Sequence, residues 1–287
     1  MSKRKKILVT GAGSQLGKTL RILNDNGFKY DFRSKYMLDI SDPKELNRFL
    51  AKNKYDYCFN FAAYTAVNLA ETDRAKCFDV NVRGVANLSK AAKKHDFTLI
   101  HISSDYVFDG KQDKPYTETD PTHPLNYYGK TKRLGEQIIQ QYLNKYLIIR
   151  TSWLYSDYNN NFVKTILKMA QEGQKVKIVQ DQIGTPTYTK NLIRFILTAI
   201  KKTEKSPELY GLYHFSDKGE ASWYDFGKEV YKLTGIDKEI IPIKSTDFAS
   251  PAKRPHYSVL SKRKAEQAFG VRAEKWQDAL KDCFAYK

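Results

Sequence analysis

Short apolar runs alternate along this 287-residue chain with longer stretches in which aliphatic residues recur at helical spacing. The runs Ile7 to Thr10, Tyr57 to Phe61, Thr98 to Ser103 and Leu147 to Thr151 are strand-like: short, and apolar at consecutive positions. A weaker run from Phe28 to Phe32 predicts a further strand, and Leu16, Leu20 and Leu23 fall on one face of a helix after the first. Strands alternating with helices imply a parallel sheet. A hydrophobic content of 41% lets a chain of this length bury a doubly wound α/β sheet plus a smaller lobe. Internal repeats and low-complexity blocks are absent.

The first strand and helix are joined by GAGSQLG. Gly11 permits a tight turn, a small residue at Ser14 lets a pyrophosphate approach the backbone, and Gly17 lets the helix pack closely on the strand. Neither glycine template is complete, because G-x-x-G-x-x-G wants glycine at position 14 and G-x-G-x-x-G wants it at Leu16. Alone, the turn fits an ordinary strand-to-helix connection equally well. Asp31, about 20 residues on, lies where an acidic group binds a ribose diol. Arg33 and Lys35 follow and could hold a 2′-phosphate, which favours NADPH while leaving NADH open.

The stretch from Ile102 to Lys132 carries the chemistry. Hydride delivery to a ketone leaves negative charge on oxygen, so a proton donor and a hydrogen-bonding group must already be aimed there. Tyr128 and Lys132 in YGKTK lie four apart, on one helical face, where a lysine cation can ease the ionisation of a phenol. Ser104 supplies a second hydroxyl for the ketone oxygen. The bare pair is weak evidence in a chain with 20 Tyr and 49 Lys plus Arg, and it recurs at Tyr224/Lys228. It also fits an amphipathic helix with a half-buried tyrosine and a solvated lysine. The upstream serine and the glycine turn set the first pair apart.

Composition narrows the field. The formal net charge of +17 would attract phosphates, yet the basic residues are spread without a nucleic-acid motif, so a small anionic substrate is expected rather than nucleic acid. MSKRKK is basic, but ILV is too short for a signal-peptide core and no segment approaches a membrane span, which predicts a cytoplasmic protein without membrane contact. Cys58, Cys77 and Cys283 are scattered and lack a C-x-x-C pair, predicting buried thiols rather than disulfides or a zinc site.

Several blocks together carry a resemblance. GAGSQLG, NFAAYTAVNLAE, SSDYVFDG, YGKTKRLGE, RTSWLY, NNFVKTIL, DQIGTPT, GLYHFSDKGEASWYDF and AKRPHYSVL occur in the order found in dTDP-4-dehydrorhamnose reductases, over nearly the entire chain. That family belongs to the extended short-chain dehydrogenase/reductases. The resemblance implies a Rossmann-like doubly wound parallel sheet with a smaller, mixed α/β substrate-binding lobe. Residues 1–153, with returning segments of about 179–215 and 261–287, would bind NADP(H), while 154–178 and 216–260 would form the sugar-nucleotide lobe. Tyr128 would be the proton donor, Lys132 would hold the nicotinamide ribose, and Ser104 would bind the reacting oxygen where the family usually has threonine. Gly11, Ser14, Gln15, Leu16, Gly17, Ile40, Ala62, Ala63, Tyr64 and Asn81 would line or support the cofactor. Asp39 would sit near the adenine, or cap the helix beginning near Pro43. Thr65, Val67, Asp105, Tyr106 and Trp153 would line the sugar pocket. Val67 and Trp153 equally fit plain core, and Asn81 a turn cap. Arg254, beside Pro255, would contact a phosphate, against the alternative of an exposed surface arginine.

Departures from the family pattern matter too. NLAE places Asn68 and Leu69 where Asp-Lys is usual, so substrate preference could differ. Gln15 and Lys190 stand where some relatives carry acidic metal ligands, so a monomer or a homodimer without a metal bridge is expected. Sister dehydratases place Asp-Glu after the Ser/Thr, whereas this chain has Asp105-Tyr106. Simple reduction is therefore implied: hydride transfer to C4 of dTDP-4-dehydro-6-deoxy-L-mannose, giving dTDP-L-rhamnose. A reductase or epimerase of another nucleotide sugar, or a non-catalytic subunit like that of methionine adenosyltransferase, are the alternatives.

Overall fold

The computed structural model describes residues 4–23 and 25–285, so the first three residues of the basic MSKRKK start lie outside the described residues. Six strands form the central sheet: β1 (Lys6–Thr10), β2 (Lys29–Arg33), β3 (Tyr57–Asn60), β4 (Thr98–Ser104), β5 (Tyr146–Thr151) and β6 (Gly211–His214). Their order is β6-β5-β4-β3-β1-β2, and every pairing is parallel. The order reverses between β1 and β3, the switch point at which doubly wound sheets open a crevice.

Alternate residues of the strands feed two separate cores. Ile7, Val9, Phe59, Ile100 and Ile149 pack with Leu16 and Leu20 of α1 (Gln15–Leu23), with a helix at Thr189–Thr203 and with Phe269 of a helix at Arg263–Phe269. Leu8, Cys58, Leu99 and Ile148 face the other way, onto α2 (Pro43–Lys52), α3 and α4 (Tyr127–Tyr142). Here α3 is an unbroken helical run, Arg74–Phe78 followed by a π-helical turn at Asp79–Arg83 and by Gly84–His95. It crosses α4 closely: a Cβ on Gly135 would lie 2.8 Å from the Asn81 carbonyl oxygen. Burial on both faces explains why these strands read as continuous apolar runs.

A third core, with Tyr155, Val163, Ile166, Phe226 and Val230, belongs to the smaller lobe, where strand Val176–Val179 pairs in parallel with Ile240–Ile243. The helix Trp223–Thr234 starts with a capping box between Ser222 and Asp225 and stops at Gly235, φ +66°. Towards the carboxy terminus, Arg263–Phe269 buries Ala265 and Phe269 in the core beside the sheet. Trp276–Ala285 instead buries Trp276, Ala279 and Leu280 in the lobe core, because those positions recur on one helical face and find Phe226 at 5.8 Å between ring centroids. The three cysteines are buried, and no disulfide joins them.

Candidate active site

At the end of β1 the chain turns at Gly11 with φ +64°. A Cβ there would lie 2.5 Å from the Ala62 nitrogen, so only glycine permits this approach to the segment leaving β3. Gly17 likewise faces the Ala12 carbonyl, 2.6 Å from where a Cβ would stand, and its N–H donates to Ser14 Oγ at 3.1 Å, capping α1. A groove of about 390 Å³ starts here and passes Lys35, Asp39 and Ile40 before reaching Ala62, Ala63 and Tyr64. Through Ser14, Phe61 and Ala63 it joins a cleft of about 470 Å³ lined by Gln15, Leu16, Thr65, Val67, Ser104, Asp105, Tyr128, Lys132 and Trp153. A cradle of small residues at a helix start, continuous with a groove on one side and a cleft on the other, fits an extended dinucleotide with its pyrophosphate at Gly11 to Ser14.

Ser104 closes β4, while Tyr128 and Lys132 enter from the first turns of α4, whose cap Asn126 accepts the Gly129 N–H at 2.8 Å. A Cβ on Gly129 would lie 2.1 Å from the Tyr106 carbonyl oxygen, so glycine at this position sets how closely α4 approaches the end of β4. Burial raises the Tyr128 phenol, the charge of Asp105 adds to this, and a hydrogen bond with Ser104 opposes it. Desolvation dominates, which makes Tyr128 an acid that holds its proton until a strong base forms. Burial also lowers Lys132, to about 8, although the charges of Glu136 and Cys77 act the other way.

Asp105 is buried, and desolvation raises its carboxyl to about 7 against hydrogen bonds from Ser258 and Ser104. Ser104 Oγ donates its single hydrogen to Asp105 Oδ1 at 2.9 Å and accepts the Tyr106 N–H at 3.1 Å. A proton on Asp105 Oδ1 would reverse the first bond, because the acid would then donate to Ser104 and free the serine hydrogen for another acceptor.

The far wall of the cleft is aromatic. Trp153 adopts φ +45°, unusual for a bulky residue, and is held there by a stack on Trp223 with ring centroids 3.5 Å apart. Gly184 makes room, since a Cβ would lie 2.6 Å from the Trp153 ring. Tyr106 lies behind Tyr128, ring centroids 6.1 Å apart, and hydrogen bonds Arg254, which also donates to Ser250, to the Ala252 carbonyl at 3.2 Å and to Asn68 Oδ1 at 3.0 Å.

Of the expected residues, Arg33 and Asn81 stand apart from the groove and cleft, and others there are engaged within the protein. Arg33 is turned to Asp31, with nitrogens 2.8 and 3.1 Å from the two carboxylate oxygens, and lies over the Phe49 ring, so the basic pair divides and Lys35 alone faces the groove. Asn81 is buried behind it, its Oδ1 accepting the Tyr64 N–H at 2.9 Å and its amide donating to the Tyr64 carbonyl and to Thr131. Asp39 does not cap α2; it accepts from Ser41, and Asp42 is the cap, because its side chain stands next to Pro43 at the first helical position and reaches the Lys44 and Glu45 N–H groups. Gln15 accepts from Ser156 at 2.7 Å and Lys190 pairs with Asp282 at 2.8 Å. The second pair, Tyr224/Lys228, folds on itself in the lobe, the ammonium 5.3 Å from its own tyrosine ring. Trp223 and Ser258 were not singled out from the sequence, although SWYDF and HYSVL contain them; only folding brings them to residues 70 and 153 positions away, Trp153 and Asp105.

A parallel sheet with a glycine turn at its switch point, and a Ser–Tyr–Lys group at the cleft beside it, is the arrangement of an extended short-chain dehydrogenase/reductase. Comparison with known proteins narrows that class. The sequence pattern described as RmlD substrate binding domain matches residues 5–287, and the chain belongs to that family. It is 39% identical to the dTDP-4-dehydrorhamnose reductase of Aggregatibacter actinomycetemcomitans, covering 98% of this chain and 99% of the relative. A dTDP-4-dehydrorhamnose reductase structure from Clostridium acetobutylicum superposes with a TM-score of 0.93 at 39% identity, over 98% of this chain and 99% of that one. The enzyme of the same name from Bacillus anthracis, solved in complex with NADP, gives 0.94 at 33% identity over 99% and 100%.

Proposed function

We propose that this protein reduces the C4 ketone of dTDP-4-dehydro-6-deoxy-L-mannose with NADPH, giving dTDP-L-rhamnose, the last step of dTDP-rhamnose biosynthesis. The observation that carries the reading is the cleft itself, in which Ser104, Tyr128 and Lys132 meet at the inner end of a groove fit for a dinucleotide. Near-full-length similarity to enzymes of that name supports the substrate.

NADPH, when bound, supplies a hydride to the ketone carbon. Tyr128 gives its phenolic proton to the ketone oxygen, so ketone, hydride and proton together make the secondary alcohol, and solvent returns a proton to the phenolate. Ser104 hydrogen bonds the oxygen as charge builds on it. Lys132 holds the cofactor ribose and steadies the phenolate. Trp153 and Trp223 wall the sugar, and Arg254 contacts the diphosphate. Asn81 acts at one remove, by clamping the backbone of Tyr64. On the same reading Lys35 takes the 2′-phosphate. We further propose two functional parts, a dinucleotide-binding sheet and a sugar-nucleotide lobe, and a cytoplasmic enzyme that works as a monomer or as a homodimer without a metal bridge.

The test is oxidation of NADPH, compared with NADH, by purified protein given the ketone sugar nucleotide made in situ, with the product identified. Formation of dTDP-L-rhamnose supports the assignment; cofactor binding without turnover would reject it.

A further inference from the structure

Behind Lys132 a buried row of polar side chains crosses the sheet. Thr10, Asn60 and His101 occupy matching register positions on β1, β3 and β4, so strand pairing sets them side by side on one face. Thr10 Oγ1 lies 2.8 Å from Asn60 Oδ1, Asn60 Nδ2 lies 3.0 Å from His101 Nδ1, and His101 Nε2 lies 3.3 Å from Lys132 Nζ. All four residues are at most 1% exposed. The next positions inward on that face, Leu8, Cys58 and Leu99, belong to the apolar core. Polar groups in such a place are costly unless every donor meets an acceptor.

The row has two complete hydrogen patterns. In one, Thr10 donates to Asn60 Oδ1, Asn60 Nδ2 donates to His101 Nδ1, and the Nε2–H of His101 donates to a neutral Lys132. The other follows from turning the Asn60 amide over. A charged Lys132 then donates to His101 Nε2, the Nδ1–H donates to Asn60 Oδ1, and Asn60 Nδ2 donates to Thr10 Oγ1.

We propose that His101 is a positioning residue for Lys132, and that Asn60 and Thr10 let its imidazole change tautomer with the charge of the lysine. One ammonium hydrogen is then always directed backwards, leaving two for a ribose diol and for the side of Tyr128. Lys132 lines the cleft with Tyr128 and is faced by Glu136 from its own helix, by Cys77 from α3 and by His101 from β4; His101 is faced by Lys132. Burial and the lysine charge keep His101 uncharged, so the ring answers by moving its proton between nitrogens rather than by gaining one. The catalytic consequence rests on the reductase reading above, but the tautomer change does not.

Nitrogen-15 NMR of histidine-labelled full-length protein, without substrate, tests the tautomer directly from about pH 6 to about pH 10. His101 is assigned by the loss of its signals in His101→Gln. The expected result is an Nδ1–H ring at low pH that becomes an Nε2–H ring as Lys132 loses its proton, and one fixed tautomer in Lys132→Met. A wild-type ring that keeps one tautomer throughout, or a change that persists in Lys132→Met, overturns the proposal. In turnover, His101→Phe removes the acceptor and should lower kcat about tenfold or more at neutral pH and move the pH profile. His101→Gln, whose amide oxygen can stand at the Nε2 position, should restore much of the rate. Equal losses in both variants with an unmoved pH profile would reduce His101 to a packing role. Absence of wild-type turnover would count against the reductase reading alone, since the NMR result is independent of it.

Discussion

Replacing Asp105 by asparagine isolates what burial of a carboxylate costs this fold. Its carboxyl is raised from 3.8 to about 7 by desolvation, which outweighs the hydrogen bonds from Ser258 and Ser104. Between those values the folded protein keeps a proton that the unfolded chain has released, so stability falls as pH rises through the window. Each pH unit corresponds to about 1.4 kcal/mol, and the whole displacement to a loss of about 4 kcal/mol, complete above about pH 7 and nil below about pH 4. Asp217 is also raised to about 7 by burial, so wild type must be compared with Asp105→Asn, in which Asp217 contributes equally. Denaturant unfolding at pH 5 and pH 8 should show the variant gaining about 3 kcal/mol on wild type between the two. The amide also donates to Ser104 as the protonated acid would, so a kinetic transition near pH 7 in wild type should vanish in the variant. A stability difference that is the same at both pH values would mean that Asp105 stays charged when folded, and the reasoning from desolvation would fail.

Tyr128→Phe should leave folding and cofactor binding intact and lower turnover by on the order of a hundredfold or more, as removal of a positioned acid does; near-normal turnover would refute its role. Gly129→Ala drives a methyl into the Tyr106 carbonyl, so it should cost about 1–3 kcal/mol in denaturant unfolding and depress kcat by pushing Tyr128 away from Ser104. Asn68→Asp would pair Arg254 with a carboxylate at the place of its present 3.0 Å contact, raising the KM for the sugar nucleotide several-fold with kcat little changed; an unaltered KM would argue against a phosphate contact by Arg254.

How much of this was legible in the sequence depends on how local each signal is. The strand at Ile7 to Thr10 and the shared face of Tyr128 and Lys132 are set by spacing within a few residues, and both stand in the structure as the spacing predicts. Arg33 shows where such reading stops. Its partner Asp31 lies two residues away on the same strand face, so the pairing was available in the sequence, but whether a cation serves a carboxylate or a ligand depends on which one folding brings nearer. Asp39 and Asp42 differ only in which of them stands beside Pro43, a distinction of one helical turn that decides the cap. Contacts between distant segments carry no local mark at all. Trp153 meets Trp223, Asp105 meets Ser258, and Trp276 joins the lobe core only through tertiary packing of segments far apart in the chain. Thr10, Asn60 and His101 lie between these limits. Each reads as one polar residue in an apolar run, at the strand's carboxyl end for Thr10 and Asn60 and in mid-strand for His101, and nothing in any single run distinguishes it. Parallel register turns the three into a row, because the last residues of β1 and β3, Thr10 and Asn60, fall level with the middle of the longer β4, and α4 then sets Lys132 against His101 there. The crevice that admits a ligand at the front of the sheet therefore also fixes, from behind, what the lysine can do.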